Sequence, residues 1–567
     1  MLIVSQTVNK TYVIVGGVAG GMSAATRLRR LDETARIIVV ERSGYVSFAN
    51  CGLPYHVGGV IAKRSALLLQ TPASLGARFG LDVRVRTEAT AINAADRTVT
   101  IRDLATGREE QLRYDALVLS PGARPIRPAL PGIERALSLR DIEDTDALVA
   151  AVTAALPEAR GFDDQRPESG TAVVIGGGFI GVEMAENLVH KGLRVAIVEA
   201  APQVMAPLDP EMVEPVHAAI RAAGVDLHLG SSVTAIGERE VTLADGSTLP
   251  ADVVVAAIGV RPDTHLAEAA GLTIGERGGI RVDDRLRTSD PAIYAVGDAV
   301  EKIDGLTQER TLVPLANTAN LQGRRVADII AGLDATDRPV LGTAIVQVMG
   351  LQVAATGWNE KRLRAAGRAY RAIHTHPADH ATYYPGADGM ALKLLVDPAT
   401  DAILGAQGVG RSGVDKRIDV IATAMSAGLT ASALAELELA YAPPFSSAKD
   451  PVNMLGHIAD NLRTGIAHAI QWHELDQAIA SGAFVLDVRT PAEFARGAIP
   501  GAVNIAVDGL RGRLDELPRK GTPIVVHCQV GLRAHVAARL LRQHGWAEVA
   551  NLSGGYLTWR AGRAITG

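Results

Sequence analysis

Short apolar, β-branched runs that end in glycine recur along the chain, and each is followed by a stretch with helical spacing. Thr11-Tyr12-Val13-Ile14-Val15 reads as a buried parallel strand, residues 16–21 as a glycine-rich turn, and Met22 to Leu31 as a helix. Ile37 to Glu41 reads as the next strand. The same pattern returns at Ala172–Ile175, the turn 176–181, the helical stretch Val182–Lys191 and the strand Arg194–Glu199. Near the end of the chain, Phe484–Arg489 and Ile524–His527 read as two more strands, the second leading through a short loop into a helix that runs to Leu541. Strands alternating with helices predict an α/β protein built on parallel sheets. The stretch 154–170, rich in Pro, Gly and acids, reads as a surface insertion, and 456–470 as a connector.

Composition narrows the partners rather than the fold. A chain of 567 residues is too long for one core, so several domains are expected. Apolar residues at 47%, charged residues at 21% and a net charge of -5 give no reason to expect nucleic acid or an anionic membrane as partner. No run of eighteen apolar residues appears, and the opening MLIVSQTVNK has no basic region leading into an apolar one. The expectation is a cytoplasmic protein. There are only two cysteines, Cys51 and Cys528, too few for a disulfide framework. Each is therefore a candidate for chemistry, and no metal site is expected.

The glycine turns suggest what surrounds Cys51. Gly16, Gly17, Gly20 and Gly21 allow a tight turn and a close backbone approach to a pyrophosphate at a helix N-terminus. Val18 stands where a strict G-x-G-x-x-G would have its middle glycine. Gly176, Gly178 and Gly181 fit that pattern without exception. Both following strands end in an acid, Glu41 and Glu199, placed to meet a ribose hydroxyl. A carboxylate at Glu199 would repel the 2′-phosphate of NADPH, so NADH is the expected nicotinamide, with NADPH weaker.

A third piece, Thr288 to Asp298, resembles the second flavin-binding motif of the two-dinucleotide-binding flavoproteins. Ser120-Pro121-Gly122-Ala123 and Gly259 to Asp263 resemble that family's crossings between its nucleotide domains. The resemblance implies FAD at Gly16, Gly17, Ala19, Gly20, Glu41, Arg42, Ser120, Gly122, Gly297 and Asp298. It implies NADH at Gly176, Gly178, Phe179, Gly181, Glu183, Glu199 and Gly259, with Phe179 covering the flavin until NADH displaces it. Five positions either side of Cys51 stand Val46 and His56, so the paired thiol of most disulfide reductases is absent. The chain therefore resembles the single-cysteine branch of the pyridine nucleotide-disulfide oxidoreductases. Ser47 to Tyr55, Tyr383-Tyr384-Pro385-Gly386 and Tyr441 to Pro451 look like the coenzyme A-disulfide reductase form. That resemblance implies a homodimer in which Tyr383 and Tyr441 reach the partner's Cys51, with Tyr384 as the alternative to Tyr383. Ser23, Arg27 and Arg30 fall at i, i+4 and i+7, on one helix face where two guanidiniums could clamp a phosphate. In the family these positions, with Ser47, Asn50, Arg78 and Lys449, contact coenzyme A.

The last hundred residues look like a rhodanese domain. Cys528 leaves a strand into a loop at a helix N-terminus, among backbone amides and a positive dipole end. Cys528 to Arg533 is a C-x4-R loop, the sulfurtransferase length, and Ala498 replaces the histidine of the Gly-His-Ile-Pro-Gly-Ala pattern. The resemblance implies a Cys528 persulfide held by Arg533 and loop amides. The whole chain is thus similar to the coenzyme A-disulfide reductase–rhodanese fusions. The expected architecture is α/β: two Rossmann-like domains, an α+β dimerisation domain and a rhodanese-like domain. The expected divisions are 1–120 with 250–330 for FAD, 121–249 for NADH, 331–455 for dimerisation and 471–567 for rhodanese. The expected activity is NADH-dependent, FAD-dependent reduction of a persulfide, polysulfide or coenzyme A disulfide, through a mixed disulfide of Cys51 with coenzyme A. Two alternatives stay open: an NADH oxidase or peroxidase cycling a Cys51 sulfenic acid, and a sulfane-sulfur carrier or redox sensor.

Overall fold

Residues 9–156 and 169–566 are described by the computed structural model, so most of the expected insertion at 154–170 lies outside the described residues. The chain divides into two compact units, one from Met1–Pro202 and Gly224–Val340, the other from Gln203–Ala223 and Leu341–Gly567.

The first unit holds two parallel sheets. In one, Thr11–Val15 lies between Arg36–Val40 and Ala116–Leu119, with Ile293–Ala295 and Asp82–Arg84 at the edges. In the other, Thr171–Ile175 lies between Arg194–Glu199 and Val253–Ala256, with Asp226–Leu229 outermost. The strand Val253–Ala256 stands beyond the expected division at 249/250 yet hydrogen-bonds into this second sheet. Each central strand is the first of its βαβ unit, and its successors pair on opposite sides, so each sheet has a switch point at the carboxyl end of that strand. The glycine turns lie there. At Gly16 the backbone takes φ +102°, and a Cβ would stand 2.0 Å from the Ser120 carbonyl oxygen. Gly176 repeats the geometry, with φ +106° and 2.4 Å to the Ala257 carbonyl. Only glycine fits both the angle and the contact.

The second unit joins an antiparallel sheet to a parallel one. The order Ala344–Val348, Leu351–Gly357, Ile403–Gly410, Met390–Val396, Arg371–Thr375 is antiparallel throughout. The C-terminal sheet runs Ala469–Ile470, Val549–Leu552, Ile524–His527, Phe484–Asp487, Val503–Asn504, all parallel. The stretch 456–470 is not a loose connector. It is the end of the helix Pro451–Arg463 followed by an edge strand of the C-terminal sheet. Asp450 caps that helix, and Val452, Leu455 and Ala459 are fully buried along one face. His374 of the antiparallel sheet meets Ser553 of the C-terminal domain at 3.2 Å, and His376 meets Thr558 at 2.8 Å.

Beneath that sheet lies a buried ionic cluster that the sequence does not announce. Lys393 is fully buried, with Nζ 2.8 Å from Asp209, 2.6 Å from Glu360 and in contact with Glu211. The three carboxylates are close enough together to resemble a cation site, and the ammonium stands among them. Among the described residues no helix is long and apolar enough to cross a membrane.

Candidate functional site

Cys51 lies in a single helical turn, Asn50–Gly52, directly before the short helix Leu53–Val57. Its segment is pinned in place: Ala49 donates to the Leu67 carbonyl at 2.9 Å and Leu69 to the Ser47 carbonyl at 3.2 Å. Phe48, Leu53, Leu67 and Ile142 form the apolar cluster beneath it. Ser47 takes φ +47°, an uncommon angle for a residue with a side chain, and its N–H donates to the Gly17 carbonyl at 2.8 Å. The Cys51 loop is thereby tied to the first glycine turn. Cys51 is exposed as a residue, although its sulfur is enclosed enough for burial to act on it. Surrounding protein mass pushes it up, and the carboxylates of Glu183 and Asp298 add to that. In this form it is a thiol rather than a ready thiolate.

Those two carboxylates belong to separate devices. Glu183, on the helix Phe179–His190, accepts from the Tyr55 hydroxyl at 3.0 Å. Burial pushes its carboxyl up to about 7 against the lowering hydrogen bond from Tyr55. Tyr55 is a site residue that no motif marks for this contact, although it stands in the same stretch as Cys51. Asp298 lies at the end of the third motif, its carboxyl raised by burial and its Oδ1 buried without a partner. Gly297 beside it is held on both sides. Its N–H donates to Gln322 Oε1 at 2.9 Å, and its carbonyl accepts from the buried Lys302 Nζ at 2.8 Å. Burial pulls Lys302 down to about 8.

The two acidic strand ends behave alike. Glu41 accepts from the N–H groups of Gly17 at 2.8 Å and Ser43 at 2.9 Å. Glu199 accepts from Gly177 at 2.6 Å and Ala201 at 2.7 Å. Each carboxylate braces its own glycine turn. A Cβ at Gly122 or Gly178 would meet nothing within 4 Å, so both turns open into free space. A glycine cradle, an orphaned buried carboxylate oxygen and open turns suit FAD at the first sheet. The matching cradle and Glu199 suit a nicotinamide dinucleotide at the second. Phe179 is half-buried at the start of its helix, and Gly259 has φ +106° in the crossing between the sheets.

Part of the helix face expected to bind phosphates is engaged within the chain. Arg27 Nε is ion-paired to Asp328 Oδ1 at 2.7 Å, and Ser23 Oγ donates to Asn320 at 2.6 Å. Arg30 is exposed, as are Asn50 and Arg78. Of the two guanidiniums expected to clamp a phosphate, Arg27 pairs with a carboxylate from the packed helix Ala316–Ile330, and Arg30 is exposed on the surface. Arg42 is exposed, 4.0 Å from Glu88.

In the second unit, Tyr383 and Tyr441 meet hydroxyl to hydroxyl at 2.7 Å, both rings exposed. Their segments are joined where the Ala381 N–H reaches the carbonyls of Pro443 at 3.3 Å and Ser446 at 3.1 Å. Tyr384 turns away to an edge contact with His380. Lys449 is exposed, beside the buried Asp450 that pairs with Arg417 at 3.1 Å.

Cys528 stands at the carboxyl end of the central strand Ile524–His527, fully buried, before the helix Leu532–Gln543. The Gly531 N–H points at its Sγ from 3.1 Å. Arg533 is placed at the loop, but both terminal nitrogens bind Glu493, at 2.8 and 2.7 Å. Arg489, also at the loop through Gln529, is paired with Asp487 and lies 4.2 Å over the Tyr556 ring.

Family models match three stretches: pyridine nucleotide-disulphide oxidoreductase over residues 10–323, its dimerisation domain over 343–451, and a rhodanese-like domain over 471–562. A coenzyme A disulfide reductase of Staphylococcus haemolyticus is 32% identical over 454 residues, 80% of this chain and 100% of that protein. The crystal structure of reduced Bacillus anthracis CoADR-RHD superimposes with TM-score 0.93 at 46% identity, covering 98% of each chain. A NAD-dependent persulfide reductase from A. fulgidus superimposes with TM-score 0.89 at 39% identity, covering 97% of this chain and 100% of that one.

Proposed function

Because this chain belongs to the pyridine nucleotide-disulphide oxidoreductase family, we propose that it is an NADH-dependent reductase of persulfides, polysulfides or coenzyme A disulfide, with a sulfur-carrying C-terminal domain. One observation carries the reading. Cys51 is exposed beside two dinucleotide cradles, and Cys528, the chain's one other cysteine, stands buried in the rhodanese-like domain. The redox disulfide of Cys51 is therefore made with the substrate.

Membership implies FAD and a reduced nicotinamide dinucleotide. When bound, they supply the electron pair that returns a mixed disulfide to two thiols. Gly16, Gly17, Ala19, Gly20, Glu41, Ser120, Gly122, Gly297 and Asp298 would hold the first. Gly176, Gly178, Gly181, Glu183, Glu199 and Gly259 would hold the second, and the Glu199 carboxylate favours NADH over NADPH. The cysteine works as a nucleophile once deprotonated. Cys51 Sγ attacks a sulfur of the persulfide or disulfide, forms a mixed disulfide and displaces hydrosulfide or thiol. The hydroxyl pair of Tyr383 and Tyr441, exposed and mutually bonded, is suited to donate to that leaving sulfur across a homodimer. Arg30, Asn50, Arg78 and Lys449 offer exposed polar groups for a phosphorylated carrier such as coenzyme A, with Ser23, Ser47 and Arg27 more constrained. Cys528, with the Gly531 amide aimed at its sulfur, would hold a persulfide.

The test is a steady-state comparison of coenzyme A persulfide, coenzyme A disulfide, polysulfide and oxygen with NADH, in the native chain and in Cys51→Ser. The variant should keep FAD and lose persulfide reduction by at least about 1,000-fold. Retained turnover would sink the scheme, and oxygen consumption faster than persulfide reduction would favour an oxidase instead.

A further inference from the structure

At the Cys528 loop, Arg533 and Arg489 are each paired with a carboxylate. Arg533, the side chain the C-x4-R loop supplies, is held in a bidentate pair by Glu493 at 2.8 and 2.7 Å. Arg489 Nε and Nη2 are held by Asp487 at 2.7 to 3.1 Å; Nη2 also donates to the Gly497 carbonyl, and Nη1 donates to Gln529 Oε1 and the Glu493 carbonyl. His527, the residue before Cys528, is buried and pulled down to about 4 by burial, so it is neutral. Glu493 itself is held down to about 2, chiefly by Arg533. The pairs Arg533–Glu493 and Arg489–Asp487 therefore sum to no net charge; Arg533 still acts on Cys528, but with its charge offset by Glu493, and the Gly531 N–H and the helix N-terminus add to the field that favours an anion.

That arrangement discriminates between sulfur donors. Thiosulfate carries two negative charges and leaves as sulfite, so its transfer is favoured by uncompensated cations around the oxygens. A thiol persulfide is neutral when protonated and leaves as a single thiolate. We propose that Glu493 sets donor specificity at Cys528: by occupying both terminal nitrogens of Arg533, it makes the loop take sulfur from thiol persulfides and reject oxyanion donors. The step is Cys528–S⁻ plus R–S–SH giving Cys528–S–SH plus R–S⁻. The donor S–S bond breaks, the new one forms on Sγ, and the proton travels with the transferred sulfur. No external oxidant or reductant is needed.

The inference rests on the reading of Cys528 as a sulfane-sulfur carrier, and the experiment separates the two. Thiocyanate formation from cyanide is measured with the full chain, using thiosulfate and glutathione persulfide as donors. The native chain should favour the persulfide in kcat/KM by at least about tenfold. Glu493→Gln, which keeps the capping box with Thr490, should raise the thiosulfate-to-persulfide ratio at least about tenfold, mainly through the thiosulfate KM. A native ratio near one, or a ratio unmoved by the variant, overturns the inference. Should the variant not fold, the native ratio alone decides. Sulfur transfer that survives Cys528→Ser would instead overturn the carrier reading.

Discussion

The Tyr55 hydroxyl donates to Glu183 Oε1 at 3.0 Å, four residues beyond Cys51 on the same turn-and-helix segment. This contact joins the cysteine's element to the helix that opens the second dinucleotide cradle. Two consequences follow for Cys51. Its thiol is raised first by burial and then by the Glu183 carboxylate. Glu183 is ionised at any pH where a thiol titrates, because its own value is about 7. Glu183→Gln should therefore move the midpoint of Cys51 alkylation by iodoacetamide to lower pH. A midpoint that stays put would mean that burial and Asp298, without Glu183, set the thiol.

The same carboxyl gives a stability test with a definite sign. A group raised in the folded state contributes its stability at low pH and loses it as pH rises through the folded value. For Glu183 the window runs from its ordinary carboxylate range to about 7. Glu183→Gln should match the native chain near pH 4.5 and exceed it at pH 8, by on the order of 3 kcal/mol. Urea denaturation at the two pH values measures the difference. Equal gaps at both would show the site to be solvated.

The hydroxyl pair of Tyr383 and Tyr441 calls for a cycle rather than a single variant. Each hydroxyl orients the other at 2.7 Å, so removing either disturbs both. Tyr383→Phe and Tyr441→Phe should each slow persulfide reduction by about tenfold to a hundredfold, and the double variant by less than their product. Full additivity would mean that the two act independently, and an unchanged rate would remove them from the reaction.

Glu199 braces Gly177 and Ala201 at the end of the strand where a ribose is expected. Replacing it should relax nicotinamide choice. Glu199→Ala should lower the NADH-to-NADPH ratio of kcat/KM by about tenfold or more, because the repulsion of a 2′-phosphate disappears. A ratio that does not move would assign discrimination to other groups.

The parallel sheets and glycine turns are legible in the sequence because their causes are local. A β-branched run can only be buried on both faces, and Gly16 and Gly176 need the same φ and the same close approach to a carbonyl. The lone thiol and the C-x4-R loop are legible for the same reason. What stays hidden depends on distant partners. Arg27 and Arg30 do share a helix face, but Asp328, 301 positions away, pairs with one of them. Arg533 is found by spacing, while Glu493, 40 positions earlier, sets what it can bind. The expected connector is a helix because Asp450 and Asn453 form its cap and its apolar face packs, a fact decided by tertiary burial.

Lys393 gives the largest expected effect on stability. Its ammonium is fully buried with Asp209, Glu211 and Glu360. Burial pushes the Glu211 carboxyl up, but Lys393 and His374 overcome this and hold it well below the usual range. Glu360 is lowered in the same way, by Lys393 against burial. Carboxyls depressed in the folded state contribute stability above their ordinary range and lose it as pH falls through the folded values. Lys393→Met leaves three buried carboxylates without their cation and should cost about 3–5 kcal/mol at pH 7. Without the ammonium, burial dominates and the carboxyls rise. Protonating them then relieves the variant, so its deficit should shrink as pH falls from 7 to 5. Denaturation curves across that range decide the matter: a deficit that is small, or that grows on acidification, would show that the carboxylates find other partners.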